Sequence, residues 1–155
     1  MAQPTSSARA TDLAARPSLT LTRRLNAPPE RVYAAWTDPQ NLMQWFMPPS
    51  AVPGSVKAET DLRVGGKYRF SFEKDGEYFE VGGVYREVVP NMRLVFTWAW
   101  HSTPERESVV TISIKAEGER TLLTLHHAQF ADQAARDSHE RGWSGMLDSI
   151  EKFLD

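Results

Sequence analysis

Met92-Arg93-Leu94-Val95-Phe96-Thr97-Trp98-Ala99-Trp100-His101 is the stretch on which the reading of the chain turns. With a period of two it places Met92, Leu94, Phe96, Trp98 and Trp100 on one face and Arg93, Val95, Thr97, Ala99 and His101 on the other. Two tryptophans and a phenylalanine on one strand face are a heavy apolar load. Such a row either fills a core or walls a cavity.

Outward from this strand the pattern stays extended. Ser108 to Lys115 and Thr121 to Ala128 form a hairpin around Glu117-Gly118-Glu119. Upstream, Ser55 to Leu62 and Lys67 to Glu73 flank Gly65-Gly66, and Lys74-Asp75-Gly76-Glu77 is a tight-turn signal. Tyr78 to Val89 is a further strand in which Gly82-Gly83 marks a bulge or sharp curve. Earlier still, Leu19 to Leu25 alternates as a first strand. Pro28-Pro29-Glu30 then opens a short helix carrying Val32, Tyr33 and Trp36. Asp38-Pro39 starts a second one with Leu42, Trp45 and Phe46, and the prolines of residues 47–54 make a loop.

The period changes at the end of the chain. Trp143, Met146, Leu147, Ile150, Phe153 and Leu154 follow an amphipathic stripe, with Asp132 as N-cap of a helix from Gln133 to Phe153. The expected architecture is therefore α+β: a curved seven-stranded antiparallel sheet wrapped around one long C-terminal helix, with two short helices after strand 1. One helix cannot fill the concave side of so wide a sheet, so part of it is expected to be cavity, closed by the short helices and the proline loop.

Composition narrows the function classes. The chain has 155 residues, 41% apolar and 25% charged, with a formal net charge of −2, which offers no nucleic-acid surface. No apolar run approaches the about 20 residues of a membrane span, so no membrane insertion is expected. There is no cysteine, which excludes disulfides and thiolate chemistry and fits a cytoplasmic location. Residues 1–17 read as a disordered N-terminal tail, with a transit peptide as the alternative, and 18–155 as the domain.

Several polar residues are placed where chemistry is conceivable. His127 shares a parity with Leu123 and Leu125, so it faces the concave side while His126 faces out. It is either a general base or ligand anchor, or a cavity-edge histidine bonded to backbone. Glu87 shares a face with Gly83 and Tyr85 and is either a pocket carboxylate or the ion-pair partner of Arg63, Arg69 or Arg93. His139 and Trp143 lie one helical turn apart and, with Met146, offer an aromatic and thioether surface. Gly142 and Gly145, costly inside a helix, point to a close approach there, either of strand backbone or of ligand. No metal is expected, because no histidine pair has ligand spacing, and no cofactor, because neither glycine pair matches a phosphate-binding fingerprint. Ser144 sits mid-helix, which rules out a nucleophile elbow.

The ordered set of motifs resembles a known superfamily. Asn26-Ala27-Pro28-Pro29-Glu30, Trp36-Thr37-Asp38-Pro39, Asp61-Leu62-Arg63-Val64-Gly65-Gly66, Gly83-Val84-Tyr85-Arg86-Glu87-Val88-Val89-Pro90 and Gly142-Trp143 are similar to START-like (SRPBCC) proteins. The nearer likeness is to the branch related to the activator of the ninety-kilodalton heat-shock chaperone's ATPase. The resemblance implies a helix-grip fold with an internal pocket that takes a small hydrophobic ligand of the lipid, aromatic or polyketide kind. Some members of the superfamily are aromatases, cyclases or hydrolases. On this expectation the ligand-binding set is Phe70, Phe72, Tyr85, Glu87, Phe96, Trp98, Trp100, Ile112, Leu125, His127, His139, Trp143 and Met146. Three readings stay open: a hydrophobic-ligand binder with no catalytic residues, a cyclase- or hydrolase-type enzyme using His127 or Glu87, and a stress-response interaction module. The last would act as a homodimer or through a chaperone, and Val95, Val109 and Leu122 are its candidate outward apolar residues. Chaperone-activating relatives carry an additional N-terminal domain that these residues do not include.

Overall fold

A computed structural model describes residues 16–155. Seven strands, β1 (Leu19–Leu25), β2 (Lys57–Thr60), β3 (Lys67–Lys74), β4 (Glu77–Val89), β5 (Arg93–Trp100), β6 (Ser108–Glu117) and β7 (Arg120–Ala128), form one antiparallel sheet. Two short helices, α1 (Pro29–Thr37) and α2 (Pro39–Trp45), follow β1, and a long helix, α3 (Gln133–Leu154), ends the chain. The expected α+β grip is what forms. The N-terminal lead-in expected over residues 1–17 lies, for 1–15, outside the described residues. Pro17 is already tied down, its carbonyl accepting from the Phe130 amide at 3.2 Å.

The strand order β1-β7-β6-β5-β4-β3-β2 explains why the short helices stand where they do. Strands β1 and β2 are consecutive in the chain yet occupy opposite edges. The connection must cross the sheet's whole width, about 4.8 Å per strand, and its only apolar route lies over the concave face. Val32, Ala35 and Trp36 of α1 and Leu42 and Trp45 of α2 are buried along that route. Asp38 ends α1 and caps α2, its side chain accepting from the Gln40 amide at 2.9 Å. Asp132 caps α3 in the same way, 2.8 Å from the Ala135 amide. The α3 stripe Trp143, Leu147, Ile150 and Leu154 is fully buried.

Turn chemistry sets the registers. Asp75 and Gly76 both have positive φ, 52° and 76°, the signature of the tight β3–β4 hairpin. At the β4–β5 turn Asn91 takes φ 64°, and Met92, expected on the tryptophan face, instead lies exposed in the turn. Leu94, Phe96 and Trp98 are buried as expected and Trp100 is half-buried. Val95 is buried too, and Val109 and Leu122 are half-buried, so none of the three supplies an exposed outward patch.

Of the bulge or sharp curve expected at Gly82-Gly83, the bulge does not form there. The register shift falls between Tyr85 and Glu87. The glycines answer a different need, close backbone approach: a Cβ on Gly83 would collide with the Thr97 carbonyl oxygen, and one on Gly82 would stand 2.8 Å from that of Tyr68. Here the β4–β5 ladder opens. The Thr97 hydroxyl accepts from the Val84 amide at 2.8 Å, and the Tyr68 hydroxyl donates to the Thr97 carbonyl at 2.7 Å. Gly142 and Gly145 differ again. No protein atom beyond the helix's own neighbouring residues lies within 4 Å of a Cβ built on either, so of the two expected approaches, by strand backbone or by ligand, that of strand backbone is absent.

These two kinds of glycine respond oppositely to alanine. Gly83→Ala should destabilise the fold by about 2–4 kcal/mol through a backbone clash that no rotamer relieves. Gly142→Ala should stabilise it by about 0.5–1 kcal/mol through helix propensity. Urea unfolding with an unchanged m-value reads both, and a Gly83→Ala protein as stable as the parent would refute the close-approach account.

Candidate functional site

The space under the grip is divided in two by aromatic rings. Phe46 of the α2 C-cap lies 4.4 Å, centroid to centroid, from Phe70, 5.8 Å from Trp143 and 6.2 Å from Trp98. Behind this plug is an inner cavity of about 30 Å³, walled by Trp36, Leu42, Phe70, Tyr85, Leu94 and Phe96. It has room for water, not for an organic guest. Trp36 Nε1 has no partner among the described residues. In front of the plug is an open groove of about 410 Å³ between the ends of β3, β4 and β5 and the N-terminal half of α3. That volume falls within the usual range of small-molecule sites, about 300–1,000 Å³. The guest-sized space therefore lies at the mouth of the grip rather than beneath the whole helix.

Each wall of the groove has a local cause. Phe72 and Phe79 are directly opposite in the β3–β4 register and stack at 5.2 Å with 17° between their planes. Trp98 and Trp100 come from β5, and Pro48 from the proline loop. His139, Gly142, Trp143 and Met146 project from α3 at helical spacing, and the missing Gly142 side chain leaves the groove open beside Trp143. Lys74, Ser102 and Ser138 stand at its edge.

The polar atoms of the aromatic wall are satisfied among themselves. Trp143 Nε1–H donates to His127 Nδ1 at 2.9 Å, and an indole can only donate, so the His127 proton must sit on Nε2. From there it is given to the Ser108 hydroxyl at 2.7 Å, which in turn donates to the Trp98 carbonyl. His139 takes the opposite tautomer. Its Nε2 accepts from the indoles of Trp100 at 3.0 Å and Trp98 at 3.3 Å, while Nδ1–H donates to the Ala135 carbonyl at 2.7 Å. Both imidazoles are thus held neutral. Burial, and secondarily His139 and His126, pushes the His127 pKa well below its ordinary value. Burial also lowers that of His139, against a smaller upward pull from the Ala135 carbonyl. Neither ring keeps a free lone pair with which to take a substrate proton.

Of the residues expected to bind a ligand, Phe72, Trp98, Trp100, His139, Trp143 and Met146 line the groove. Phe70, Tyr85 and Phe96 line the inner cavity, as Trp98 also does. Ile112 and Leu125 are fully buried core residues that border neither space, and His127 lies one layer back, behind Trp143. Glu87 is on the outside. The register shift after Tyr85 inverts the parity of β4, so Glu87 stands opposite Val95 and pairs with Arg93 at 3.2 Å. Pro48, Lys74, Phe79, Ser102, Ser138 and Gly142 were absent from the expected set. Lys74 and Phe79 could have been found by carrying the Phe70–Phe72 and Val81 parities to the hairpin end. Among the described residues no group of three or more His, Cys, Asp or Glu could hold a metal ion.

Residues 26–155 match the profile of the Activator of Hsp90 ATPase homolog 1-like proteins. The chain belongs to that family. The fold is shared with family-type proteins of known structure. It is similar to CV1439 of Chromobacterium violaceum at 27% identity over 89% of this chain and 97% of that one, with a TM-score of 0.76. It is similar to CalU16 of Micromonospora echinospora at 29% identity, over 89% and 76% of the two chains, with a TM-score of 0.67. NE0264 of Nitrosomonas europaea stands at 26%, 90%, 95% and 0.73. No functionally curated protein matches the chain. The family assignment confirms the START-like resemblance read from the motifs, whose first segment, Asn26-Ala27-Pro28-Pro29-Glu30, opens the matched region.

In this family member the neutral imidazoles make stability pH-dependent. The folded His127 pKa lies below the unfolded value of about 6.5, so the unfolded chain takes up a proton first as pH falls. Stability is complete above that pH and is lost below it, at up to about 1.4 kcal/mol per pH unit for the His127 share. His127→Phe strands the Trp143 indole and the Ser108 hydroxyl, at a cost of about 1–3 kcal/mol at pH 8. The difference from the parent should shrink toward pH 5. Urea unfolding across that range reads it, and a constant difference would show that His127 does not stay neutral.

Proposed function

We propose that this protein is a binder of small hydrophobic molecules and that the groove at the mouth of the grip is where they bind. The observation that carries the reading is the groove itself: about 410 Å³ faced by Phe72, Phe79, Trp98, Trp100, Trp143 and Met146. Ring faces and a thioether suit a flat, largely apolar guest. Membership of a START-like family is consistent with a ligand-binding domain. Binding is favoured over catalysis because both interior histidines have their nitrogens engaged and Glu87 is outside. Proton transfer needs an acid or base free to reach the reacting atom. Among the described residues no helix is long and apolar enough to cross a membrane.

A two- or three-ring probe tests the proposal. At about 0.3 kcal/mol per non-hydrogen atom, such a ligand reaches about 5 kcal/mol, a Kd of order 0.1 mM. N-phenyl-1-naphthylamine should bind saturably with that affinity or better, with its emission enhanced and the tryptophan emission quenched. Gly142→Leu, whose side chain enters the open space beside Trp143, should weaken binding at least about tenfold while leaving the urea midpoint no lower than the parent's. Absence of saturable binding, or binding indifferent to Gly142→Leu, would overturn the assignment.

A further inference from the structure

The groove carries one charge, and its placement names a ligand class. Lys74 is the last residue of β3 and has the same parity as Phe70 and Phe72, so it stands on the concave side at the hairpin end. It lines the groove, where no carboxylate does. Lys74 is half-buried, and it makes no ion pair among the described residues although eight arginines do. Glu77 is directly opposite in the register but exposed, unpaired with Lys74 and outside the groove lining. Glu73 belongs to the other face of β3, and Asp75 lies in the turn. Ser102 and Ser138 add hydroxyls to the groove lining.

The deeper wall offers a ligand no polar handle, because its indole and imidazole nitrogens bond to one another or to the backbone. A guest seated there must bury apolar surface inward and leave any polar group at the mouth. At the mouth it meets an ammonium and two hydroxyls. The geometry points to an amphipathic anion: a flat apolar body against Trp100, Trp143 and Met146, with a carboxylate, sulfonate or phenolate held at Lys74. This rests on the groove being the binding site and adds the sign of the guest's charge. A cation would meet Lys74 with no compensating carboxylate. A neutral guest would leave the ammonium desolvated in part and unpaired.

Two probes that differ by one sulfonate separate the alternatives. N-phenyl-1-naphthylamine is neutral, and 8-anilinonaphthalene-1-sulfonate carries the same rings with a negative charge. Fluorescence titration of the full chain at low salt should give the anion about three- to tenfold tighter binding, the magnitude of one partly exposed ion pair. Gly142→Leu must weaken the binding of both probes at least about tenfold for the signals to be assigned to the groove. In Lys74→Gln the affinity ratio of the two probes should fall to about one, and in Lys74→Glu it should invert. In the parent it should shrink at 0.5 M salt. Equal affinities in the parent, or an anion preference that survives both Lys74 variants, would overturn the inference while leaving the hydrophobic-binder reading in place. If neither probe binds, or if Gly142→Leu leaves both signals, the groove assignment and this inference fall together.

Discussion

Packing three indoles beside one another, two buried and one half-buried, creates a demand for acceptors, and the way it is met governs the rest of the molecule. An indole N–H can only donate, and leaving it unpaired in the interior costs about 1–3 kcal/mol. Trp98, Trp100 and Trp143 find their acceptors on His139 and His127, one imidazole from α3 and one from β7. Each imidazole must then be neutral and in a defined tautomer. Each sends its remaining N–H to a fixed oxygen, the Ser108 hydroxyl or the Ala135 carbonyl. The network therefore ties the helix to three strands through directional bonds in a region where apolar packing alone would allow it to slide.

That tie divides the space. With Trp98 and Trp143 packed against each other at 5.0 Å and Phe46 set against both, the deep part of the grip becomes a packed aromatic layer, leaving a cavity of only about 30 Å³ behind it. The guest-sized volume is displaced to the front, where the sheet runs past the N-terminal half of α3 and Gly142 leaves a gap. The topology adds to this. The crossing from β1 to β2 covers the rear with α1 and α2 and, through the proline loop, contributes Pro48 to the groove.

Most of the fold could be read in the sequence because its periods are clean: all seven strands, the three helices and the Asp75-Gly76 turn stand where alternation, helical stripes and capping residues put them. The site was legible only in part. Parity carries a facing assignment along a strand until a register shift inverts it. The shift after Tyr85 is why Glu87, read as facing the pocket, pairs with Arg93 outside. A turn ends parity altogether, which is what happened at Met92. Glycine is ambiguous by nature, since the same residue serves close approach at Gly83 and empty space at Gly142. Which apolar residues form a solid layer and which face a groove depends on how three elements meet, and no periodicity reports that. Ile112 and Leu125 have the right parity for a ligand wall and are simply core.

The same division bears on what the groove can recognise. A wall whose hydrogen bonds are all internal discriminates by shape and apolar area, and such contacts tolerate many guests at similar strength. Under the proposed binding role, selectivity then comes from Lys74, Ser102 and Ser138, which sit on the hairpin end, the segment after β5 and α3. Changing the His–Trp layer costs stability, because each member leaves a buried partner unpaired. Residues at the edge carry no such coupling. The rim of the groove can therefore change without disturbing the layer that holds the helix.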